Sequence, residues 1–117
     1  MTPHDDAARL SHMLDHARKA VQLAYGKIRA DIDADELLGL AMTRLLEVIG
    51  EAAARVSQAA RDHHPQIPWL SIAGMRNRLI HGYDAVDFDI LWHVVQYDLP
   101  ALIVDIEKII AELTEKS

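Results

Sequence analysis

The sequence predicts an all-α protein, an antiparallel bundle of four to five helices whose last helix is kinked or broken near Pro100. Apolar residues recur at the helical period almost throughout, and no stretch shows the period of two that a half-buried strand requires. Capping residues, glycines and prolines divide the chain into helix-length pieces with short connections, which favours antiparallel neighbours. Half of the 117 residues are hydrophobic and 26% are charged, a balance that lets a chain of this size bury a core unaided. Residues 1–117 read as a single helical domain with no linker, repeat or low-complexity tract.

A first helix is expected from Thr2 as N-cap and Pro3 in the first turn. Its apolar row is Leu10, Met13, Leu14, Ala17, Val21 and Ala24, and it frays over Gly26 to Arg29. The acidic stretch Asp31 to Glu36 offers N-caps for a second helix running to about Asp62. His63 to Pro68, with two prolines, reads as a loop. A third helix takes Pro68 into its first turn and stops at Gly82, a natural C-cap. Asp87 caps a fourth segment, Phe88 to about Glu115, which Pro100 interrupts after Leu99.

Projected at about 100° per residue, the second helix shows three arcs. Leu38, Ala41, Leu45, Val48, Ile49, Ala52 and Val56 form an apolar arc. Gly39, Thr43, Gly50, Ala54 and Ser57 form a small-residue arc that lets another backbone approach, which explains two glycines that each cost roughly 1 kcal/mol in a helix. Arg44, Glu47, Glu51, Arg55 and Asp62 form a charged row, either a solvated face with i,i+4 pairs or the lining of a site.

The chain has no cysteine, which removes disulfides and thiolate chemistry and fits a reducing cytoplasm. Its N-terminus lacks an apolar signal core, and no apolar run approaches a bilayer span. A net charge of −6 argues against a basic field spread over the whole surface, while leaving room for a local phosphate site.

The chemistry concentrates in Arg76-Asn77-Arg78-Leu79-Ile80-His81-Gly82-Tyr83. Arg76 falls within an apolar stripe of Trp69, Ile72, Ala73, Leu79 and Ile80, where a guanidinium must pair with a carboxylate such as Glu47 or Glu51, or reach a polar cleft. Arg78 lies opposite. His81 stands about 140° round the helix from Arg76, shares a face with Asn77, and occupies a last turn whose dipole favours imidazolium. A helix-capping histidine is the plainer reading. Tyr83 stands just past the glycine on exposed backbone. His12 and His16 have metal-capable spacing without a further ligand and read as helix surface.

Arg76, four residues, His81, one residue, then Tyr83 resembles the signature of the HepT-like branch of the HEPN superfamily. The flanking text strengthens the resemblance: Ile67-Pro68-Trp69, Ile72-Ala73-Gly74-Met75, Leu46-Glu47-Val48-Ile49-Gly50-Glu51 and Asp98-Leu99-Pro100. Asp84 departs from the aromatic or small residue that related sequences often carry, and adds negative charge beside the motif. The resemblance implies a ribonuclease toxin, usually a homodimer, paired with a minimal nucleotidyltransferase antitoxin of the MntA kind that transfers AMP to Tyr83. RNA cleavage by its own 2′-hydroxyl needs a base and a cation at the phosphate. His81 suits the first role, as base or acid, and Arg76 the second as a bidentate fork. Asn77 and Arg78 are expected to orient or bind phosphate, Glu47 and Glu51 to support the charges, and neither metal nor cofactor is required. The competing reading is a non-catalytic subunit that binds a nucleotide or the nucleotidyltransferase. A purely structural helical dimer is the third.

Overall fold

The computed structural model describes residues 3–83 and 85–115; Thr2 and Asp84 lie outside them. The architecture is an all-α bundle with one small β-hairpin. Helix α1 (Pro3–Ala24) packs on α3 (Glu36–Ala54) and on α8 (Leu99–Glu115), and α3 packs in turn on α5 (Trp69–Ala73) and α6 (Met75–Leu79). The core they enclose includes Leu10, Met13, Ala17, Met42, Leu46, Ile49, Leu79, Leu91, Leu99 and Ile106. Among the described residues, no helix is long and apolar enough to cross a membrane.

The first helix follows its predicted row closely, with Leu10, Met13, Leu14, Ala17, Ala20 and Ala24 buried and Val21 packed against the core. It ends where Gly26 adopts φ +75°. The acidic stretch departs from expectation, because residues 29–34 form a helical turn of their own, α2 (Arg29–Ala34). The Asp31 carboxylate accepts from the Ile28 amide at its start. Asp35 is then the N-cap of α3, accepting from the Leu38 amide at 3.1 Å.

Helix α3 stops at Ala54 and does not continue to Asp62. The buried Asp6 of α1 accepts from both the amide (2.8 Å) and the hydroxyl (2.7 Å) of Ser57, turning the chain there. Ser57 then caps a separate α4 (Gln58–His63) through the Ala60 amide. Arg61 donates to the carbonyls of Ala53, in the last turn of α3, and of Val56 just beyond it.

Leu38, Ile49, Ala52 and Val56 of the expected apolar arc are buried, but Leu45 and Val48 are half-buried and Ala41 is exposed, while Met42, Leu46 and Ala53 are buried outside it, so the seam is shifted toward the small-residue arc. Gly39, Thr43 and Gly50 of the small-residue arc therefore face inward, while Ala54 is exposed. A Cβ on Gly39 would meet the Phe88 ring at 3.0 Å, and one on Gly50 would meet the Ile72 carbonyl oxygen at 2.8 Å. Leu37 and Leu40 are left exposed.

The last segment starts at the expected cap. Asp87 accepts from the Asp89 and Ile90 amides, both at 3.0 Å, and opens α7 (Phe88–His93). The irregularity expected after Leu99 instead precedes it, as a π turn over Val94–Asp98 in which the Leu99 amide bonds Val94. A wider turn relieves the clash that the Pro100 ring would make with a carbonyl four residues back. Helix α8 then runs unbroken.

Candidate active site

The third helix is two helices. Gly74 separates α5 from α6, and α6 ends at Leu79 because Ile80 is extended at φ −104°, ψ 121°. Ile80–His81 (β1) then pairs antiparallel with Ala85–Val86 (β2), Ile80 opposite Val86 and His81 opposite Ala85. The Asp87 amide donates to the Leu79 carbonyl at 2.7 Å and extends the ladder. Gly82, at φ +72°, is the left-handed residue of the hairpin turn and not a helix C-cap.

This hairpin corrects three expectations. His81 is in β1, two residues past the end of α6, and does not occupy a last helical turn. It shares no helical face with Asn77. Arg76 does not aim into the core, because the break at Gly74 resets the register and Met75 and Leu79 take the buried positions.

The Arg76 guanidinium donates from Nη1 to Glu47 Oε2 at 3.1 Å. Its side chain is 68% exposed while that of Glu47 is 16% exposed. Glu47 thus anchors a fork whose remaining donors are available to a phosphate. The pair belongs to Glu47 alone, since Glu51 pairs with Arg44 at 3.4 Å. Arg78 is committed elsewhere, donating to Ser71 Oγ (3.0 Å) and Asp98 Oδ2 (3.3 Å). It braces α5 and α6 against the π turn, where His93 Nε2 also lies 3.9 Å from Asp98. Asn77 is exposed.

His81 Nε2 lies 3.3 Å from Asp87 Oδ2, with the imidazole 61% exposed. Asp87 therefore does two things. Oδ1 caps α7 and Oδ2 faces the histidine. The Ile90 amide foremost, together with the Asp89 amide and His81, holds the Asp87 carboxyl below the usual carboxylate range, against a smaller opposing effect of burial. A lowered pKa means that the charge is present through the neutral range and is lost only as pH falls well into the acid range. A fixed anion at Nε2 orients the ring and favours a proton there, leaving Nδ1 for a substrate. Sequence reasoning saw Asp87 only as a cap. The missed signal was its distance from His81, six residues across a glycine-containing turn, which a hairpin closes and a helix ending does not.

Tyr83 sits in the turn of that hairpin and is 97% exposed, so its hydroxyl is fully accessible. Arg76 pairs with Glu47 and His81 with Asp87, on two elements joined directly, since α6 leads straight into β1. A fork for phosphate and an oriented imidazole, both open to solvent, can stabilise a developing phosphorane and move a proton. Among the described residues no group of three or more His, Asp or Glu is arranged to hold a metal ion.

The ribonuclease HepT-like family matches residues 13–109. A protein of Caldanaerobacter subterraneus subsp. tengcongensis, named as a candidate RNase, is 35% identical over 107 residues, covering 92% of each chain. The probable ribonuclease HepT of Thermococcus cleftensis is 40% identical over 79 residues, 68% of this chain and 72% of that one. A further candidate RNase, from Methanocaldococcus jannaschii, is 40% identical over 91 residues, 74% of this chain and 78% of its own. No solved structure matches the chain.

Proposed function

The chain belongs to the HepT-like ribonuclease family, and on that premise we propose that it is the RNA-cleaving toxin of a toxin–antitoxin pair, working without a metal ion. The observation that carries the residue assignment is His81 against the fixed Asp87 carboxylate, next in the chain to a helix that presents Arg76 to solvent. In the proposed reaction, His81 Nδ1 accepts the proton of an RNA 2′-hydroxyl as that oxygen attacks the adjacent phosphorus. The Arg76 fork takes the charge on the non-bridging oxygens. The bond to the 5′-oxygen breaks, and that oxygen is protonated by a second imidazole, giving a 2′,3′-cyclic phosphate and a 5′-hydroxyl.

The second imidazole comes from a second copy. Leu37, Leu40 and Ala41 are exposed on α3, and the same helix face continues through Arg44 to Glu47, the partner of Arg76. An apolar patch that runs into the site suits a two-fold interface that brings two motifs to one cleft. Light scattering should give about twice the 13.1 kDa chain mass. A monomer that remains active would remove the shared cleft. The reaction itself is tested by RNA digestion in the presence of a chelator, with cleavage expected in full. Strict dependence on an added divalent ion would overturn the metal-free mechanism.

The control residue is Tyr83, and the partner is a minimal nucleotidyltransferase antitoxin that transfers AMP to it. A fully exposed phenol on a tight turn two residues after His81 meets the steric need of a modifying enzyme. The attached phosphate would compete for the Arg76 donors that RNA needs. Intact mass after incubation with the partner and ATP should show AMP added to the parent chain and none to Tyr83→Phe. Modification of Tyr83→Phe to the same extent would move the switch to Tyr97 or Tyr25. The acidic net charge favours a second reading, a non-catalytic nucleotide- or partner-binding subunit; absence of RNA cleavage by pure protein would support it.

A further inference from the structure

Away from the motif, α1 and the C-terminal end of α3 enclose an open cleft of about 260 Å³ whose polar lining is Arg9, His12 and His16 from α1, Glu51 from α3 and Arg55 at its C-cap. A chain of net charge −6 thus gathers two arginines and two histidines around one carboxylate. That carboxylate is already engaged, since Glu51 lies 3.4 Å from Arg44. Arg9, which lines the cleft, is half-buried, and its buried Nε–H has no hydrogen-bond partner among the described residues. An unpaired buried donor costs about 1–3 kcal/mol unless a ligand or water satisfies it. His16 donates from Nδ1 to the His12 carbonyl at 2.8 Å, which orients its ring, so that Nε2 donates to an anion only in the imidazolium form. The two guanidiniums supply the standing donors, and these suit an anion.

The position of the cleft indicates which anion. Glu47 and Glu51 stand at successive turns of α3 and Arg55 is the C-cap one turn further on, so the cleft begins one turn from the carboxylate that holds Arg76. Arg55 lies about 12 Å along the helix axis from Glu47, a span that a few nucleotides of extended single strand cover. We infer that the Arg9–His12–His16–Arg55 cleft is a backbone-phosphate subsite for single-stranded RNA, holding the strand that leads away from the bond cleaved at Arg76 and His81. The inference rests on the ribonuclease reading. It explains how an acidic protein gains RNA affinity: the strand follows a short cationic track along α3 and α1, without a basic field over the whole surface.

The test uses the full chain carrying His81→Ala, which binds RNA without consuming it, and a labelled single-stranded RNA of about ten nucleotides followed by anisotropy. Arg55→Gln, at an exposed position, should weaken binding about tenfold and reduce the slope of log affinity against log salt by about 0.7, the value for one single-strand phosphate contact. Arg9→Gln should act in the same direction. Glu51→Gln, which removes the one carboxylate lining the cleft, should tighten binding, an outcome that loss of packing would not produce. Arg18→Gln, whose guanidinium is paired with Glu107 on α8, should leave binding unchanged. With His81 present, Arg55→Gln should raise KM while kcat is retained. If the parent chain cleaves RNA but Arg55→Gln and Arg9→Gln alter neither binding nor KM, the subsite is wrong and the ribonuclease reading stands. If the parent chain cleaves no RNA, the ribonuclease reading fails and the subsite fails with it.

Discussion

His81→Ala should lower the rate of RNA cleavage by about two to four orders of magnitude, the range over which a positioned acid–base group acts. The fold should be unaffected. The imidazole is largely exposed and, among the described residues, its polar contact is Asp87, so circular dichroism should match the parent. Arg76→Ala should cost about two to three orders, as for removal of a donor to a developing oxyanion, with a loss of stability of about 1–3 kcal/mol because it leaves the largely buried Glu47 carboxylate without this partner. Asp87→Asn separates two roles of one residue. Asparagine keeps an oxygen that can cap α7 but loses the charge facing Nε2. Its expected signature is a reduced kcat with unchanged melting temperature. A folded His81→Ala protein that cleaves RNA at the parent rate would end the assignment.

The second large effect is on stability. Gly50→Val should lower stability by roughly 3 kcal/mol, the upper range for overpacking a tight contact, and the melting temperature by on the order of 10 °C. The cause is the neighbour. A Cβ at Gly50 would stand 2.8 Å from the Ile72 carbonyl oxygen and 3.0 Å from Met75 Cβ. Backbone on α5 cannot yield without moving α6, which carries Arg76. Gly39 supplies the comparison, since the atoms nearest its Cβ belong to the Phe88 ring, a half-buried side chain that can swing aside. Gly39→Ala should therefore be the milder change. Thermal melts of the two variants measure this, and equal losses would contradict the close approach of α3 to α5.

The separate fates of Gly39 and Gly50 show how far the sequence reaches. Two glycines inside one helix signal close packing, but only the fold tells which meets a backbone and which meets a side chain. The same holds for charge. Arg76 was legible as an arginine in need of a carboxylate, and Glu47 was one of two candidates. The choice between Glu47 and Glu51 depended on a rotation of α6 that the break at Gly74 introduces.

The sequence by itself determined the features that short-range physics controls. The all-α class, the course of α1, the caps at Asp35 and Asp87 and a disruption by Pro100 follow from the helical period and from side chains that bond their own next turn. Tertiary structure decided the rest. Asp6 bonds Ser57 across 51 positions and ends α3 where periodicity alone would continue it. Arg78 serves as a brace because Ser71 and Asp98 reach it from two other elements. The helical pattern also runs on through Ile80 and His81, yet these residues form a strand. Pairing with Ala85 and Val86, closed by the Asp87 amide on Leu79, supplies their backbone hydrogen bonds and brings a carboxylate to the histidine. A two-residue ladder has too little pattern to register in a sequence, and it is stable only because α6 and α7, packed together in the bundle, hold its ends in place.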